Sequence, residues 1–203
     1  LSSTLDVTAL VWVFPVTSDE RRVTSYEVVC RFWVPGENVA ERVRRDRAPY
    51  DVWIREGWMR TTPGNVVDYD FILAQARADL GRFKAREVAF DPWNATSVSN
   101  RLMEEGARMV EFRQGFVSMN PAMKTLEVAI QRRTIDHGGN PVLAWMADNL
   151  VATSDPAGNL KPDKGKSGEK IDGMVALLMA LQRASAALGE AGSVYKRRGM
   201  RLL

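Results

Sequence analysis

"REVAFDPWNATSVSNRLMEEGARMVEFRQ", residues 86–114, places a stretch with helical spacing between two short apolar runs. "REVAF" and "ARMVEFRQ" read as strands, and "ATSVSNRLMEEG" as the helix that joins them. "NPAMKTLEVAIQRR" (120–133) then adds another helix. This β-α-β-α order implies a parallel pair of strands covered by helices. Asp91 stands at the exit of the first strand, the end of an open α/β sheet where ligands gather. Pro92 helps to stop that strand, because it has no N–H to donate to a ladder. Two readings of Asp91 stay open on local pattern. It is either a cap of the following helix, with Pro92 at the first position, or an acid of a functional site.

Upstream, "DVTALVWVFPV" and "YEVVCRFWVP" are rich in Val, Phe and Trp and flank the polar "TSDERRVTS", a hairpin signal. A polar helical segment is expected at about 38–55, a short strand in "GWMRTTPG" and a helix over 67–83. Asp68 and Asp70 are acids at the start of that last helix, where they suit its dipole. Downstream, "NPVLAWMADNLV" reads as a helix, and "SDPAGNLKPDKGKSGEK" as a turn or mobile loop. "KIDGMVALLMALQRASAAL" is the strongest helix, nearly apolar along its first half, with Ser167 as its expected N-cap. The expected architecture is one α/β domain over 1–190, an antiparallel hairpin plus parallel strands flanked by helices. A basic tail follows over 191–203.

The 203 residues suffice for one sizeable core, and 45% hydrophobic with 26% charged residues is ordinary for a soluble globular protein. No apolar run reaches the ~20 residues needed to span a bilayer. The N-terminal stretch lacks the basic region of a signal peptide. Cys30 is alone in an apolar run, so it is expected to be a buried, inert thiol of a reduced, intracellular protein. A net charge of +3 from 28 bases and 25 acids is compatible with a polyanionic partner without requiring one. The bases cluster in "ERVRRDR" (41–47), "KPDKGKSGEK" (161–170) and "YKRRGMR" (195–201).

Asp172 is the second acid of interest, because a carboxylate amid "IDGMVALLMAL" is costly to bury unless it is paired, hydrogen-bonded or metal-bound. A dipole-stabilised acid at a helix start explains the spacing equally well. Acids from distant segments can meet around hard divalent cations, which prefer oxygen ligands. "KGKS" (164–167) is not a phosphate loop, since Leu160 stands where that loop needs glycine. His137 is the only histidine, which excludes a His-rich zinc site, and "DHGGNP" reads as a turn. Trp93 has two readings, a base-stacking residue or a core residue beside the sheet, and core is the expectation.

"LSSTLDVTALVWVFP", "TPGNVVDYD", "FDPWNA", "EFRQGFVSMNPAMKTLE", "HGGNPVLAWMADN" and "KPDKGKSGEKIDGMVALLMAL" together resemble the C-terminal nuclease part of tailed-phage terminase large subunits. The resemblance implies a ribonuclease H-like fold. It implies a site in which three carboxylates hold two Mg²⁺ or Mn²⁺ ions, and cleavage of concatemeric double-stranded DNA during packaging. The middle acid matches Asp91 and the last matches Asp172. The first family acid stands just before the "LSST" equivalent, so its position precedes Leu1. Most of the central first strand is expected to be missing with it, which implies poor metal binding and weak or no cleavage. Asp6, Asn94 and His137 are secondary candidates. Lys161, Lys164, Lys166 and Lys170 are candidate phosphate contacts. The implied partners are the terminase ATPase part, the small terminase subunit and the portal, in the host cytoplasm and with no membrane. ATP hydrolysis is not expected of this chain. The competing readings are another ribonuclease H-like nuclease, of resolvase or transposase type, and a non-catalytic module that binds DNA or the portal.

Overall fold

The computed structural model describes residues 7–18, 23–93 and 96–192. β1 (Thr8–Thr17) and β2 (Val23–Pro35) form the expected antiparallel hairpin, with Val11 opposite Cys30 and Val13 opposite Val28. Alternation along β1 sorts its side chains by face. Ala9, Val11 and Val13 join the main core, whereas Leu10 packs toward Leu73 and Ala76. Trp12 and Phe14 meet Phe83 edge-on. Both faces of the hairpin are therefore covered, which explains why its strands read as near-continuous apolar runs. Cys30 lies among these residues, and burial pushes its thiol up to about 12, as an inert core cysteine requires.

The polar segment after β2 forms α1 (Val39–Asp46) and α2 (Tyr50–Arg55), and β3 (Arg60–Thr62) returns parallel to β2. α3 (Tyr69–Phe83) opens on Asp68, whose side chain accepts a bond from the Asp70 N–H. β4 (Val88–Phe90), α4 (Thr96–Glu104) and β5 (Met109–Glu111) form the parallel unit anticipated from residues 86–114. α5 (Phe116–Gln131) starts four residues before the sequence expectation and carries Pro121 inside it. The bond that Pro121 cannot make would have gone to the Val117 carbonyl, and Val117 is exposed, so water can serve that group. β6 (Ile135–Asp136) joins the edge of β2 away from β1. α6 (Pro141–Asn149) is capped by Asn140, which accepts from the Leu143 N–H.

Two expectations need correction. The stretch read as a loop holds a hairpin, β7 (Ala152–Ser154) paired antiparallel with β8 (Leu160–Pro162), because Asp155 and Asn159 tie its turn together. α7 (Asp172–Gly192) begins five residues after Ser167. The Ser167 hydroxyl instead donates to the Asp163 carbonyl and accepts from the Val151 N–H, so it fastens the hairpin rather than capping the helix. Asp172 is thus the first residue of α7, not one turn into it. Among the described residues, no helix is long and apolar enough to cross a membrane.

α7 is the spine of the domain. Leu178 and Leu181 are fully buried and Ile171 and Leu177 nearly so, each contributing about 1.5–3 kcal/mol by burial. Its direction follows from its contacts. Gly173 lies against Phe32, which pairs with Ala9, while Ser185 hydrogen-bonds Tyr26, which pairs with Pro15. α7 therefore runs alongside β1 in the same direction. Arg183, about three turns after Asp172, pairs with Glu87 just before β4. The start of β4 therefore meets the later part of α7.

β1 and β4 are not hydrogen-bonded to one another. Between their edges lies a cavity of about 550 Å³, with Ile72, Ala76 and Leu102 of α3 and α4 on one face and Val175 and Met179 of α7 on the other.

Gly173 is the tightest point of the spine. A Cβ there would stand 2.7 Å from a Phe32 ring carbon and 2.8 Å from the Met146 sulfur. Gly173→Ala is expected to destabilise the domain by about 1–3 kcal/mol, lowering the melting temperature by roughly 2–12 °C. A thermal melt in which the variant matches or exceeds the parent would disprove this close approach.

Candidate active site

Asp91 follows β4 directly, and both of its oxygens are engaged. Oδ1 accepts from the Trp93 N–H at 3.1 Å, and Oδ2 accepts from Gln114 Nε2 at 2.7 Å. The first contact is the local turn that an aspartate makes with its own chain two residues on. The second comes from the exit of β5, so the two parallel strands jointly fix this carboxylate. The capping reading fails, because α4 begins only at Thr96 and Pro92 is not its first residue, while the site reading stays open because each oxygen keeps further acceptor capacity.

Asp172 reaches the site from the N-terminus of α7, where a negative charge suits the helix dipole. Its side chain is 13% exposed, and Lys164 Nζ donates to Oδ1 at 2.7 Å. Asp91, Gln114, Lys164 and Asp172 all line the cavity between β1 and β4. The acids, 81 positions apart in the chain, thus open onto one space. Oxygen donors of this kind suit Mg²⁺ or Mn²⁺, and the Lys164 ammonium provides the positive charge that Asp172 needs. Among the described residues, no group of three or more His, Cys, Asp or Glu side chains could hold a metal ion.

The remaining candidates fall in different places. Lys161 lies over the Phe116 ring at 4.9 Å, close in sequence to Gln114. Lys166 approaches Asp163 at 3.7 Å, and Lys170 is half-buried and near enough to Asp46 to act on its carboxylate. His137 follows β6, on the far side of β2 from the cavity, so strand spacing alone separates it from β1 by ~10 Å. The structure does not bring it to the aspartates. Asp6, Asn94 and the basic stretch 195–201 lie outside the described residues.

The cluster at 41–47 is only partly a solvated face, since Arg42 and Asp46 are buried and Tyr50 donates to Asp46. Trp93 corrects a core expectation: it is 88% exposed, because the turn at Asp91 carries it off the end of the sheet. Sequence reasoning missed the role of Gln114, and the only available signal was its position at the exit of the strand parallel to β4.

A family model for the terminase large subunit, endonuclease domain, matches residues 1–188. The chain is 41% identical over 197 residues to the terminase large subunit of Enterobacteria phage HK97, covering 96% of this chain and 38% of that protein. It is 36% identical over 165 residues to Protein YmfN of Escherichia coli (strain K12), covering 78% and 36% respectively. The crystal structure of the HK97 bacteriophage large terminase matches with a TM-score of 0.78 at 42% identity, over 88% of this chain and 37% of that one. The chain therefore spans less than two fifths of the length of these relatives. With its mixed sheet, its flanking helices and this likeness, the fold is ribonuclease H-like, and the chain belongs to the terminase large subunit endonuclease-domain family.

Proposed function

We infer that this domain is a metal-dependent endodeoxyribonuclease that cuts concatemeric double-stranded phage DNA during packaging. The observation that carries the reading is that Asp91 and Asp172, from distant segments, line one cavity. Both acids act as ligands of Mg²⁺ or Mn²⁺. Two such ions, when bound, supply an activated water and offset charge on the leaving 3′ oxygen. Gln114 and the Trp93 N–H orient Asp91, while Lys164 neutralises Asp172 until a cation does so. Lys161, Lys164, Lys166 and Lys170 give a basic border for backbone phosphates, which confers affinity that falls with salt and little base selectivity.

The nuclease unit is taken as 1–190, with a basic tail over 191–203. Its partners would be duplex DNA, the packaging ATPase part, the small terminase subunit and the portal, in the host cytoplasm. A second reading, a non-catalytic module that binds DNA or the portal, is favoured by one fact. Two carboxylates are a sparse ligand set, and no third acid joins them among the described residues.

The test is duplex DNA binding across a salt series, with plasmid nicking and calorimetric titration in Mn²⁺. Expected are salt-sensitive binding, weak Mn²⁺ affinity, and slow nicking that needs millimolar Mn²⁺ and stops with chelator. Tight two-site Mn²⁺ binding would contradict the sparse ligand set. Binding without nicking at any Mn²⁺ concentration selects the non-catalytic module. Absence of DNA binding overturns the nuclease reading and leaves only a portal-binding module.

A further inference from the structure

The proposed chemistry leaves unexplained the most exposed aromatic residue in the described structure. Trp93 is 88% exposed, whereas Trp12, Trp33 and Trp53 are at least 95% buried and Trp58 and Trp145 are half-buried. A side chain with so much apolar area is ordinarily kept from water. Its location is also constrained. Pro92 fixes its own φ, and the Trp93 N–H is held by Asp91 Oδ1 at 3.1 Å. Two Cα steps place Trp93 at most about 7.6 Å from Asp91 in the backbone. Successive phosphates of one DNA strand are ~3.4 Å apart along the axis. A phosphate brought to Asp91 therefore has Trp93 within about two nucleotides.

A second exposed apolar residue stands nearby in the chain path. Val117, also 88% exposed, lies three residues beyond Gln114, whose side chain holds the other oxygen of Asp91. Two apolar side chains thus hang from the two segments that grip one carboxylate. A phosphate-binding border alone gives no reason for them, because phosphates are met by charge and hydrogen bonds.

We propose that Trp93 stacks on a base next to the phosphate that bound cations would bring to Asp91, with Val117 as an apolar support. Trp93 thereby biases binding toward DNA steps that unstack easily. The proposal rests on the nuclease reading above and adds a specificity element to it. An indole can stack on a base only after that base leaves its neighbour. The net gain is therefore largest where unstacking is cheap, at a mismatch or a flexible pyrimidine–purine step. Sequence preference then arises without hydrogen bonds to base edges.

The experiment compares the 203-residue chain with Trp93→Ala, Trp93→Phe and Val117→Ala. The probe is a fluorescein-labelled duplex, fully paired or carrying one central mismatch, with binding followed by anisotropy. Quenching of tryptophan emission by acrylamide is read with and without unlabelled duplex. The parent is expected to prefer the mismatched duplex. Trp93→Ala should weaken that binding by roughly 5- to 100-fold and flatten the preference. Trp93→Phe should keep most of it, and Val117→Ala should lose less than Trp93→Ala. Bound duplex should shield the parent from acrylamide, and in Trp93→Phe that protection should disappear. Thermal melts of the variants should match the parent, since both side chains are exposed. If duplex binds while Trp93 stays equally quenchable and Trp93→Ala keeps the preference, the stacking role is overturned and the nuclease reading stands. If no duplex binds at all, the reading beneath it fails as well.

Discussion

Asp79→Ala is expected to lower the melting temperature of this domain by roughly 6–20 °C. Asp79 lies in the second half of α3 and is 2% exposed. Its carboxylate receives four hydrogen bonds: Trp12 Nε1 at 2.9 Å and Arg31 Nε at 3.1 Å on one oxygen, Arg31 Nη2 at 3.3 Å and Gln75 Nε2 at 2.9 Å on the other. The residue is the clamp between α3 and the hairpin. Removing it strands the Arg31 charge, 22% exposed, and the buried Trp12 N–H at the same time. Loss of one partner of a buried pair costs about 3–5 kcal/mol.

The cause can be separated from simple cavity formation. Arg31→Met in the Asp79→Ala background removes the stranded charge, so the double variant should be no less stable than Asp79→Ala alone, a non-additive result. Denaturant midpoints for the four proteins of this cycle decide the matter. A loss below about 1 kcal/mol for Asp79→Ala would mean that the pair is a surface-like interaction and that α3 is held by apolar contacts only.

Asp79 also shows where a single sequence stops being informative. The hairpin, the parallel unit at 86–114 and the apolar helix α7 were all legible, because alternation and helical spacing are local signals. In "ARADLGRF" an acid looks like any solvent-facing helix residue. Its burial depends on Trp12 and Arg31, whose side chains point toward α3 only because of the strand register, Leu10 opposite Arg31. The same limit applies to the site. Local pattern made Asp91, at a strand end before proline, and Asp172, beside an apolar helix, candidates only. A helix-start acid explained Asp172 equally well, and their joint site role came from the family resemblance. Their common cavity depends on how α7 packs against β1 and β4, which no local pattern states. Gln114 carried no signal of its own, since its role exists only once β4 and β5 pair. Ser167 and Trp93 were misread for a related reason: local rules recognise a cap or a core aromatic but not the hairpin and the turn that claimed those residues.

Asp172→Asn should have the opposite profile to Asp79→Ala: little change in stability and a large loss of Mn²⁺-dependent nicking. Asparagine keeps the size and polarity of the side chain at the start of α7. It gives up the charge that suits the helix dipole, about 0.3–1 kcal/mol. It also gives up the ion pair with Lys164, whose side chain is 54% exposed, so that this contact adds at most ~1 kcal/mol after screening. The melt should therefore move by a few degrees only. Activity should fall further than the ~10–100-fold typical of losing an outer partner of a metal ligand, because the group removed is itself the proposed ligand. Asp91→Asn should behave alike, since the Gln114 amide can turn to present its oxygen to the new side-chain NH₂ while the Trp93 N–H keeps its acceptor. Nicking rates at millimolar Mn²⁺, read beside melts of the same preparations, give the comparison. Were either variant to nick at the parental rate while folded, its carboxylate would be a structural acid at a strand or helix end, and the metal-ligand assignment would have to be abandoned.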